Sequence, residues 1–219
     1  MGKHVGGIVL LGLAVVALRG SPARAAAKAG RRGQLSGKIT LRIYNYARVP
    51  TPILVSTEPV LRRILRQAGL ETKWLDCRLS ATDTRSPVCA RPATPSDLIL
   101  KLLPSSMAQA IPTSGDTVGI AIPTRDKPAT DAFILYGRVL DLARTGYVRE
   151  QEILAAVMAH EIGHLLLGPS HSPSGIMSGK WTRDELELTR LGRLLFTPEE
   201  SALLRTALVT RAVALQLHP

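Results

Sequence analysis

His160, Glu161 and His164 stand in the order His-Glu-x-x-His, and His171 follows seven residues after His164. The chain has five histidines in 219 residues, and three of them fall within 160–171. On an α-helix, residues four apart lie on one face, so the imidazoles of His160 and His164 can reach a single ion. Glu161 projects at the flank of that pair, where a carboxylate holds a water beside the metal rather than the metal itself. The chemistry within reach is hydrolysis. Neutral imidazoles bind Zn2+, which lowers the pKa of a water toward about 7, and Glu161 takes its proton as general base.

Such a constellation needs a rigid helix. The spacing predicts one from about Arg149 to Leu167, ended by Gly168-Pro169. Ile153 and Val157 precede His160 and His164 by seven residues each, so the metal face continues a core stripe. Leu154, Met158, Ile162 and Leu165 point elsewhere, and a helix apolar on nearly all sides is central to its domain. Two capping boxes follow, Thr182 to Glu185 and Thr197 to Glu200. The second carries Pro198 at the first helical position and leads a helix through Leu203, Leu204, Leu208 and Val213.

Upstream, Ile39, Leu41 and Ile43 alternate with Thr40 and Arg42, a strand with one buried face. Thr57-Glu58-Pro59 opens a helix that Gly69 stops. Strands follow at Glu71 to Leu75, Asp97 to Leu103, Val118 to Ile122 (between Gly115 and Pro123) and Ala132 to Tyr136. The order is strand, helix, strands, then the histidine helix, which makes a mixed α/β architecture of about five strands. Tyr136 and Tyr147 read as packing residues, and Trp74 and Trp181 as core or cleft wall.

Lys3, the apolar run Val5 to Leu18 and Ala23-Arg24-Ala25 have the form of a signal peptide over residues 1–25. Residues 26–37 read as a flexible leader and 38–219 as a single domain. The apolar run is shorter than the roughly 20 residues a membrane span needs, so no span is expected after cleavage. Loss of Lys3, Arg19 and Arg24 would take the net charge from +11 to +8, a basic surface. Aromatics are 4% of residues, too few for a base-stacking platform, and no nucleic-acid motif is present. Cys77 and Cys89 are the only cysteines, which in an exported chain points to one disulfide and to a secreted or periplasmic protein.

The motif resembles that of the metzincin metallopeptidases, His-Glu-x-x-His-x-x-Gly-x-x-His followed by a methionine turn. His160, Glu161, His164, Gly168, His171 and Met177 match in order, and the succession of elements before them is similar to the family's upper subdomain. The resemblance implies a zincin with a mixed twisted sheet, a central active-site helix and a C-terminal helical subdomain. It implies His171 as the third zinc ligand, Gly168 as the turn that returns it, and Met177 as an apolar floor. It also implies a zinc endopeptidase whose peptide or protein substrate pairs with the Val118 to Ile122 edge strand; a monomer is expected. Two departures stand out: three leucines, not two residues, separate His164 from the glycine, and Met177 follows His171 by only six positions. A carboxylate third ligand from Glu185 or Glu187, as in thermolysin-like zincins, stays open at this point. So does a catalytically weak zinc-containing envelope binding protein.

Overall fold

The computed structural model describes residues 37–77, 87–94, 96–113, 117–122, 124, 129–145 and 147–217. The signal peptide, the leader up to residue 36, and Gly115 and Pro123 as strand bounds lie outside the described residues. Five strands form one sheet in the order β2-β1-β3-β5-β4. They are β1 (Gly37–Asn45), β2 (Leu70–Asp76), β3 (Asp97–Leu103), β4 (Gly119–Ala121) and β5 (Asp131–Leu135). β2, β1, β3 and β5 are parallel neighbours, and β4 runs antiparallel to β5 at the edge.

Helix α1 (Thr51–Gln67) connects β1 to β2, as two parallel neighbours require a crossover rather than a tight turn. It begins nearly two turns before the expected start, so Pro59 lies inside it rather than at its opening. Short helices α2 (Pro87–Ala90) and α3 (Ser105–Ala108) sit in the connections around β3. The strand expected to run to Tyr136 ends at Leu135, and Tyr136–Ala143 forms helix α4. One apolar residue, Tyr136, fits the end of a strand and the start of a helix equally well. Helix α5 (Glu150–Leu167) carries the histidines, and α6 (Arg183–Arg190) and α7 (Pro198–Leu217) follow. Both expected capping boxes are present, at Thr182/Glu185 and Thr197/Glu200.

The core lies between the sheet and α1, α5 and α7: Ile39, Leu41, Leu98, Leu100, Ile134 and Leu204 are all buried. β1 departs from its expected one-sided burial, because Arg42 is buried as well. Its guanidinium pairs with Asp97 at 2.7 Å and donates to the carbonyls of Arg91 (2.7 Å) and Pro92 (3.1 Å). On this second face of β1 lies the chain that follows the Cys77–Cys89 disulfide, and Tyr44 donates to the Cys89 carbonyl. Along α7, Leu204 and Leu208 are buried but Leu203 and Val213 are exposed. Glu200, Ser201 and Arg211 complete the inward face instead. No helix among the described residues is long and apolar enough to cross a membrane.

Candidate metal centre

Helix α5 starts at the Arg149 cap, where the Glu152 carboxylate accepts from the Arg149 backbone N–H at 3.3 Å. From Ile153 through Ala159 every residue is buried, and Ile162 and Leu165 continue that packing. This rigidity delivers His160 and His164 to one place. The His160 Nδ1 lies 2.6 Å from the Ile176 carbonyl, and the His164 Nδ1 lies 2.9 Å from the Gly168 carbonyl. A carbonyl only accepts, so both rings carry their proton on Nδ1 and present a bare Nε2.

Those bare nitrogens face each other. The Nε2 of His164 is 3.0 Å from that of His160 and 3.2 Å from that of His171. The His160 and His164 nitrogens, both unprotonated, share no hydrogen bond at 3.0 Å and repel, whereas a cation between them removes the repulsion. Zn–N bonds of about 2.0–2.1 Å at tetrahedral angles place ligand nitrogens about 3.3 Å apart. The donor set therefore fits zinc. Among the described residues, His160, His164 and His171 form the cluster able to hold a metal, with every ligand atom within 4.8 Å of the others. Burial pushes His160 down to about 4 and also lowers His164, so both rings are neutral near pH 7.

His171 arrives by a sharp exit from the helix. Gly168 adopts φ 96° and ψ −172°, a region open essentially to glycine alone. The extra leucine is absorbed as one more helical residue, with Leu167 ending α5. The His171 ring stands edge-on to His164 at 4.8 Å between centroids and near-parallel to His160 at 5.4 Å. Neither carboxylate alternative joins the cluster. Glu185 is held in its capping box by the Thr182 N–H at 2.7 Å, and Glu187 pairs with Arg190 at 2.8 Å.

Met177 is buried against Gly163, which lies on α5 between the two histidines. A β-carbon at 163 would overlap the Met177 sulfur and stand 3.1 Å from the Phe196 ring. The preceding carbonyl, that of Ile176, is the one that orients His160.

Glu161 is buried beside this cluster, and among the described residues its Oε2 has no hydrogen-bond partner. Burial pushes its carboxyl up to about 8, against the lowering effect of the Ala121 N–H that donates to it from β4. The same strand presses its Gly119 onto the side chain. The cleft holding these groups measures about 1250 Å³ and is walled by β4, by Arg138 and Leu142 of α4, and by Trp181. The Trp181 ring stands edge-on to His160 at 6.0 Å. Tyr136 is buried as expected, but Tyr147 is exposed beneath the Arg183 guanidinium.

Several contributors were not visible in sequence: Gly119, the Ala121 N–H, the Ile176 and Gly168 carbonyls, and the α4 wall. Gly119 alone left a signal, and a weak one. A lone glycine in a strand pattern marks only some close approach, here its own approach to Glu161.

No family model and no curated protein matches the chain. Among solved structures it is similar to an archaemetzincin from Methanopyrus kandleri, with 20% identity over 79% of this chain and 97% of that chain. The TM-score of that match is 0.49.

Proposed function

We propose that this chain is a zinc-dependent endopeptidase, with His160, His164 and His171 as ligands and Glu161 as general base. One observation carries the reading: three Nε2 atoms converge beside a buried carboxylate whose Oε2 has no partner among the described residues. Zinc held there would supply Lewis acidity, polarising a carbonyl and acidifying water. The chain's own groups do the rest. The Ile176 and Gly168 carbonyls hold the His160 and His164 rings in the required tautomer. Glu161 keeps one oxygen on the Ala121 N–H and leaves Oε2 to receive a proton and pass it to a leaving amine. Burial raises its carboxyl, and a dication in the adjacent cluster would act in the opposite direction. Met177 fills the space against Gly163 as an apolar floor.

A peptide substrate is favoured by β4, a sheet edge on the cleft wall to which an extended chain can add as a strand. The disulfide suits an oxidising compartment, in keeping with export.

The test is zinc content and turnover on a mixed peptide library. The purified chain should carry one zinc, His160→Ala and His164→Ala should lose it, and Glu161→Ala should keep zinc while losing hydrolysis by about 10²–10⁴-fold. Full zinc in the histidine variants would reject the site. Equal turnover by Glu161→Ala would reject the base. Zinc binding with no turnover by the wild type would favour a binding protein.

A further inference from the structure

Of the three clustered rings, two are oriented by their own Nδ1. His171 is not: it is exposed, and among the described residues its Nδ1 has no hydrogen-bond partner. Something else must hold its Nε2 toward the cluster, and the neighbouring backbone does so. The Ser172 N–H donates to the Met177 carbonyl at 2.9 Å, and Ser172 bridges to Ser178 as in a short parallel ladder. Gly179 lies against the imidazole, where a β-carbon would stand 3.0 Å from the His171 Cγ. The Ser172 hydroxyl donates to Glu200.

Glu200 is a buried carboxylate with no part in the proposed reaction. One of its oxygens accepts the Thr197 N–H at 2.8 Å, and the Glu200 N–H donates to the Thr197 hydroxyl at 3.2 Å. A capping box needs only that reciprocal pair. The other oxygen goes to Ser172, the residue beside the third ligand. A charge-assisted bond from a buried carboxylate is among the stronger hydrogen bonds in a protein.

We propose that Glu200 is a positioning residue for His171, acting through Ser172 to fix the third ligand from the first turn of α7. This rests on the metal-centre reading above. It makes the cap of α7 part of the metal site's support, although Glu200 lies 28 residues from Ser172 in sequence.

The experiment is a zinc dissociation constant, measured by chelator competition on the full chain. Its variants are Ser172→Ala, Glu200→Ala, Glu200→Gln and Thr197→Ala, with metal-free thermal melts alongside. Ser172→Ala and Glu200→Ala should weaken zinc binding by about 10–100-fold, the range for lost ligand-supporting bonds. Glu200→Gln should rescue most of this, because an amide can accept from the Thr197 N–H and donate to the Ser172 oxygen. Thr197→Ala removes a cap hydroxyl but leaves the Ser172–Glu200 bond, and should bind zinc as the wild type does. Wild-type zinc affinity in Ser172→Ala overturns the inference alone. So does an equal loss in Thr197→Ala, which would make the effect one of helix capping. A wild-type chain that takes up no zinc overturns the metal-centre reading and this inference with it.

Discussion

Gly119→Ala is the sharpest test of how Glu161 is placed. A β-carbon at 119 would stand 2.6 Å from both Cγ and Cδ of Glu161. Carbon atoms rest at about 3.5–4.0 Å, so the two must part by about 1 Å. The backbone of Glu161 cannot give, because it lies in a buried helix between His160 and His164. β4 is three residues long and pinned to β5 at both ends, where the Leu135 N–H donates to the Val118 carbonyl at 2.9 Å and the Ile122 N–H to the Asp131 carbonyl at 2.8 Å. The displacement therefore falls on the Glu161 side chain and on the Ala121 N–H that holds it. A misplacement of about 1 Å costs on the order of 10²-fold in rate, which is about 2.7 kcal/mol of transition-state stabilisation. The assay is peptide turnover at matched zinc content, beside Glu161→Ala. We expect kcat down about 100-fold, zinc stoichiometry unchanged, and a folded chain by thermal melt. Wild-type kcat in Gly119→Ala, with Glu161→Ala inactive, would refute the claim that β4 sets the base's position. Parallel loss of zinc would refute it too, since Gly119 touches the carboxylate and not the histidines.

Asp97→Asn should destabilise the fold by about 3–5 kcal/mol, because it leaves the Arg42 charge buried without its carboxylate; a denaturant-unfolding change under about 1 kcal/mol would contradict this. Gly168→Ala should cost about 1–3 kcal/mol from the φ 96° backbone alone, since nothing lies within 4 Å of the added carbon. It should also weaken zinc binding, because the Gly168 carbonyl orients His164; unchanged zinc affinity would count against that role. For metal-free protein, burial holds His160 near 4 against an ordinary 6.5. The folded ring stays neutral while the unfolded one gains a proton, so its contribution is full above pH 6.5 and lost as pH falls toward 4. The total is about 3 kcal/mol, read as a shallower pH dependence of stability in His160→Ala; identical slopes in the two proteins would refute it.

The chemistry-bearing triplet was legible in sequence because a helix period is local: His160, Glu161 and His164 need only their own turn to share a face. The same holds for the two capping boxes and for the alternating strands. The pairing of Cys77 with Cys89 followed from there being no other cysteine. What the sequence left open was decided by contacts between distant segments. Whether His171, Glu185 or Glu187 completes the cluster depends on where the chain goes after Gly168, and there the cap at Thr182 and the Arg190 pair occupy both carboxylates. The burial of Arg42 depends on a loop 50 residues away folding over β1. Helix α4 was hidden because its first residue, Tyr136, continues the apolar run of β5, and eight residues are a short window for a helical period. The environment of Glu161 is wholly tertiary: an edge strand some 40 residues earlier supplies both the glycine that lets it approach and the N–H that holds it. Local spacing selects which groups can act, but desolvation and orientation come from packing, and packing joins residues that sequence keeps apart.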